Sequence, residues 1–171
     1  MLLSILSMLF YVMFVGFLIG GLSITNRQFP ERSHVFLITT FFIISCYIGV
    51  FVGGLIAIWL SIRLLEILIA IIAMFLLVVL FMKHHPVRGY FQAHHRFIWP
   101  LFMFMFVFIG MEWVKVKMTG WFVVLFSCFF LVALIGGALF QLFIVKKAWR
   151  MQSVQYLPLV WLLFIAMLKL L

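Results

Sequence analysis

The chain has 171 residues, 69% of them hydrophobic and only 9% charged, with a mean hydropathy of +1.40 and a net charge of +9. Such values place it in a lipid bilayer rather than in water. The basic residues fall in short gaps between apolar runs, where they set topology and meet anionic headgroups, so nucleic acid is excluded as a partner.

Acids are scarcer still: there is no aspartate, and Glu31, Glu66 and Glu112 are the only carboxylate side chains. That excludes Asp-rich magnesium sites, aspartyl intramembrane proteases, EF-hands and paired-carboxylate glycosidases. No P-loop and no GxSxG motif occurs. Cys46 and Cys128 lie deep in apolar runs without a CxxC partner, and both read as small packing residues.

A helical span requires about 20 mostly apolar residues, and by that length the chain divides into six. The expected fold class is an all-α, polytopic integral membrane bundle of six transmembrane helices, one transmembrane domain over residues 1–171. Span 1 covers residues 2–24. It is too long for a signal-peptide core, with no basic residue before it and no small-residue cleavage site, so it is expected to stay in the membrane. Its Gly16 and Gly20 have GxxxG spacing, which lets another helix, of this chain or of another membrane subunit, approach closely.

The first gap ends with Pro30, which cannot extend a helix, and Ser33, placed to cap the next one. Residues 35–82 are too long for one crossing and must fold back. The turn is expected at residues 61–63, leaving span 2 at 35–60, with Trp59 in the interfacial belt, and span 3 at 64–82. Arg63 and Glu66, spaced i, i+3, are expected to pair on the first turn of span 3; the functional alternative makes Glu66 a buried proton carrier.

Pro86 ends span 3 near His84. Trp99 and Pro100 mark entry into span 4, residues 97–116, and Glu112, Trp113, Lys115 and Lys117 its exit, with Glu112 and Lys115 expected to pair along the helix at the interface. Span 5 covers 121–145 and span 6 covers 154–171, with Lys169 expected to snorkel. The first, third and fifth gaps carry Arg27, Arg32, Lys83, Arg88, Arg96, Lys146, Lys147 and Arg150, twice as many as the opposite side with Arg63, Lys115, Lys117 and Lys169. The positive-inside rule then puts both termini outside, in a bacterial cell membrane, and all five histidines on the cytoplasmic face.

An internal echo joins spans 2 and 5. Ser45-Cys46 is followed by Gly53-Gly54, and Ser127-Cys128 by Gly136-Gly137. Three spans per half would make the halves inverted, an arrangement many transporters use.

The one long polar interruption, KHHPVRGYFQAHHRFIWP from Lys83 to Pro100, holds four of the five histidines and no carboxylate. The candidate ligand-binding residues are His84, His85, Arg88, His94, His95 and Arg96, with Gln141 as the buried amide expected to join them, since an amide in lipid seeks a polar partner. They admit a cationic pocket for an anionic headgroup, a phosphorylated lipid carrier or a quinone. One imidazole of each pair facing the bundle would instead give two axial ligands to a haem. In that the loop resembles, in general terms, bis-histidine membrane cytochromes, whose ligands sit within the spans rather than at their edges. Copper or zinc on imidazoles is the third option, although HH-x8-HH matches no structural zinc spacing. A basic loop resting in headgroups without chemistry is the fourth. The functional expectation is a small transport or membrane-assembly protein that binds an anionic or lipid-like ligand, with a haem- or quinone-linked redox protein as the alternative.

Overall fold

The computed structural model describes residues 2–24, 30–56, 61–83, 98–116, 120–147 and 156–170. Six helices account for nearly all of them: α1 (Leu2–Leu22), α2 (Arg32–Ile56), α3 (Ile62–Lys83), α4 (Ile98–Lys115), α5 (Gly120–Lys147) and α6 (Leu157–Leu170). Among the described residues there is no strand, as expected where lipid forces every backbone donor and acceptor to pair within its own helix. Five helices are long and apolar enough to cross a membrane, and α6 is shorter. Phe36, Phe51, Phe81, Met82 and Phe143 are well exposed. An apolar belt of that size is unfavourable in water but ordinary against acyl chains.

The helix starts follow local chemistry. Ser61 caps α3: its hydroxyl accepts from the Leu64 amide at 3.2 Å and its carbonyl from the Leu65 amide at 3.3 Å. Arg63 therefore lies inside α3, and the expected turn at 61–63 moves upstream of Ile62. At α2 the carbonyl of Glu31, just after Pro30, accepts from the amides of His34 and Val35. Ser33 sits in the first turn of α2 and bonds the Glu31 carboxylate at 3.3 Å. Trp59 lies outside the described residues.

Each helix has two principal neighbours, and these close a ring in the order α1, α5, α2, α4, α3, α6. Exchanging α1 with α4, α2 with α5 and α3 with α6 returns the same ring, so the bundle is built of two three-helix halves related by a pseudo-twofold. An odd number of helices per half makes that relation an inversion across the membrane.

The exchange holds at residue level. All eight buried positions of α2 fall on buried positions of α5 in one register, which pairs Thr39 with Ser127, Phe42 with Phe130 and Gly49 with Gly137. Phe42 and Phe130 stack face to face near the axis, centroids 4.0 Å apart and planes 3° from parallel. Thr39 and Ser127 each donate to the carbonyl four residues back, Val35 and Val123, themselves a matched pair. The buried residues of α4 match those of α1 in the same way, with Gly110 on Gly20 and Glu112 on Leu22. In α3 and α6, Ile69, Ala70, Ala73 and Leu76 match Pro158, Leu159, Leu162 and Ile165.

Two close interfaces repeat across the axis. A Cβ on Gly20 would strike the Leu134 carbonyl and one on Gly137 the Phe17 carbonyl; at the symmetry-equivalent interface of α2 with α4, Gly110 meets Cys46 and Gly49 meets Val107. The glycines thus let backbones touch within the chain, as the GxxxG spacing in α1 implied. The register differs from the sequence echo, however. Ser45-Cys46 overlays Ala133-Leu134, not Ser127-Cys128, because burial rather than identity aligns the helices. Cys46 is fully buried, its thiol 3.5 Å from the Phe106 carbonyl, whereas Cys128 is exposed on the outer face and is not a packing residue.

Candidate functional site

Charge inside this bundle is concentrated at one end. Lys169 Nζ of α6 donates to both carboxylate oxygens of Glu112 on α4, at 2.5 and 2.6 Å, and the two side chains are only 10% and 4% exposed. The same ammonium lies 4.5 Å from the centroid of the Tyr11 ring on α1, a cation–π distance. The expected pairing of Glu112 along its own helix is therefore corrected: Lys169 takes the carboxylate. Nor does Lys169 snorkel. Its ammonium is turned onto the Glu112 carboxylate and its side chain is largely buried. Leaving either charge without the other would cost about 3–5 kcal/mol.

The ion pair forms one wall of a chamber of about 370 Å³, lined by Ser7, Phe10, Tyr11, Phe14, Glu66, Glu112, Phe164 and Lys169. Four helices contribute: α1, α3, α4 and α6. Ser7, Phe10 and Phe164 are exposed, so the chamber reaches the surface. The Tyr11 hydroxyl is buried without a hydrogen-bond partner among the described residues, an arrangement that costs about 1–3 kcal/mol unless something fills it. Glu66 faces this chamber, and among the described residues no ion pair joins it to Arg63. The expected pair on the first turn of α3 is absent.

Carrying the site through the pseudo-twofold gives its counterpart at the opposite end. Tyr11 maps to Leu101, Glu112 to Leu22 and Lys169 to Leu80. Leu22 and Leu80 are fully buried and Leu101 is partly buried against the core. One end of the bundle thus holds a polar, open chamber, and at the other end leucines stand at the positions equivalent to Tyr11, Glu112 and Lys169.

Of the residues expected to bind a ligand, His84, His85, Arg88, His94, His95 and Arg96 lie outside the described residues, and the haem, metal and headgroup readings with them. Gln141 is described. It is buried on α5, beside Gly21 of α1 and Pro158 and Trp161 of α6, on a cleft of about 10 Å³. Its neighbour Gly21 lies in the last turn of α1, whereas Tyr11 of the charged chamber precedes Gly21 by almost three turns, so Gln141 and Glu112 serve different ends. His34 packs edge-on to Trp99, centroids 6.2 Å apart, joining the starts of α2 and α4.

Sequence reasoning named Glu66, Glu112 and Lys169 but gave each a separate role, without bringing them together, and it passed over Tyr11. The usable signal was sidedness: the span count already puts both glutamates and Lys169 at one face, and a carboxylate at depth needs a cation. Arg63, Lys115 and Lys117 share that face, so spacing alone could not choose Lys169. Comparison with family models, curated proteins and solved structures finds no match for the chain.

Proposed function

We propose that this chain is a small membrane transporter whose two inverted halves expose one polar chamber alternately to the two faces. The observation that carries the reading is the contrast between ends: a symmetric scaffold holds an open chamber at Tyr11, Glu112 and Lys169 and sets Leu101, Leu22 and Leu80 at the equivalent positions of the other end. An inverted repeat has two nearly equivalent packings, so a rocking motion that closes the first end opens the second. The Lys and Arg distribution directs the chamber outward, with both termini, in a bacterial cell membrane. The basic loop with His84, His85, His94 and His95 then meets anionic headgroups at the cytoplasmic face.

Accessibility from the two faces tests this. In a Cys128→Ser background, Ser7→Cys and Leu22→Cys are labelled separately with a membrane-impermeant maleimide, in right-side-out and inverted vesicles. Alternation predicts fast labelling of Ser7→Cys from outside and slower labelling of Leu22→Cys from inside. A static assembly protein leaves Leu22→Cys unlabelled from both faces while Ser7→Cys still reacts, and that result would end the transport reading.

A further inference from the structure

We infer that the chamber is a binding site for a monovalent organic ammonium ion: a primary amine on a small apolar body. Charge accounts for the first half of the inference. Two carboxylates, Glu66 and Glu112, and one ammonium, Lys169, line the space, which leaves one negative charge in excess. Lys169 is already committed, bonded to both oxygens of Glu112 and seated on the Tyr11 ring. An anion would find no unengaged cation in this lining and would face Glu66. A cation finds Glu66 without an ion-pair partner among the described residues.

The Tyr11 hydroxyl, buried and without a hydrogen-bond partner among the described residues, supplies the second contact. Its oxygen can accept an N–H, and its ring face is taken by Lys169, so a primary ammonium suits it better than a quaternary one. Phe10, Phe14 and Phe164 give the apolar and π-rich walls that favour an organic cation over a hydrated metal ion. A divalent metal wants several oxygen or imidazole donors, and no cluster of three His, Cys, Asp or Glu occurs among the described residues. The volume of about 370 Å³ lies within the usual range for small-molecule pockets.

This inference deepens the transport reading by naming its substrate class, but binding is measured apart from transport. The purified full-length protein in detergent is titrated calorimetrically with phenethylammonium, 2-phenylethanol and phenylacetate, which share a body and differ in charge. Saturable binding of the ammonium alone is expected, weakened about tenfold or more by Glu66→Gln and several-fold by Tyr11→Phe. Glu66→Asp, which keeps the charge, should restore part of the affinity, a recovery that a mere folding defect would not produce. Equal binding of the alcohol, preference for phenylacetate, binding undiminished in Glu66→Gln, or no binding of any of the three would each overturn the inference. Ammonium binding without uptake into proteoliposomes supports the inference and removes the transport reading instead.

Discussion

The two ends of the α1, α3, α4 and α6 assembly are built on matched backbones and differ in chemistry. One end sets Tyr11, Glu112 and Lys169 around a chamber; the other sets Leu101, Leu22 and Leu80 in its place. At the leucine end the three equivalent side chains are apolar, and each gains from the methylenes it buries. At the charged end the ion pair offsets its own desolvation at best, and an orphan hydroxyl and an open volume are left over. A bundle selected only for stability would use leucines at both ends. The polar end is therefore the part of the molecule whose residues call for a functional explanation, and its apolar twin is an internal control within the same chain.

The largest expected effect comes from breaking the pair on one side. Lys169→Met leaves Glu112 buried alone and should cost about 3–5 kcal/mol, measured as a fall in the thermal midpoint of the detergent-solubilised protein. Replacing both partners at once, Glu112→Leu with Lys169→Leu, converts the charged end into its counterpart and should recover most of that loss. A double variant no more stable than the single one would show that the two ends are not equivalent scaffolds.

A smaller effect probes the scaffold itself. Gly20→Ala and Gly110→Ala each force a Cβ against a carbonyl on the facing helix, Leu134 in one half and Cys46 in the other. Both should destabilise by about 1–3 kcal/mol, and by similar amounts if the two interfaces are true repeats. A large loss at one and none at the other would break the symmetry argument where it is tightest.

Smallest, and opposite in sign, is Tyr11→Phe. Removing a buried hydroxyl that lacks a partner among the described residues should stabilise the unliganded protein by about 1 kcal/mol, while it weakens binding of the ammonium probe. Destabilisation would mean that the hydroxyl is satisfied in the resting protein and is not waiting for a ligand.

Much of the architecture was legible in the chain because lipid leaves so few options. Six apolar runs became six helices; the turn before α3 shifted because Ser61 caps that helix, and at α2 the Glu31 carbonyl takes the place expected of Ser33. The inverted relation was also visible, but through a misleading signal. The Ser-Cys and Gly-Gly echo pointed to the right pair of helices in the wrong register, because identity between apolar segments says little about which face is buried. Thr39 and Ser127, or Phe42 and Phe130, carry the true register, and neither pair lies at equivalent places in the echo.

Composition and run length alone determined that this is an all-helical chain suited to a bilayer, with its charges in short gaps and at span ends; hydrocarbon excludes any backbone that cannot bond internally. What they left open was partnership. Glu112 had Lys115, Lys117, Arg63 and Lys169 as candidate partners in the sequence, and no periodicity ranks residues spread over different helices. The ring order put α6 beside α1 and α3, with α4 against α3, and that brought Lys169, two residues from the end of the sequence, onto a carboxylate 57 residues earlier in the chain. Only helix packing, which depends on where glycines let backbones meet, could decide it.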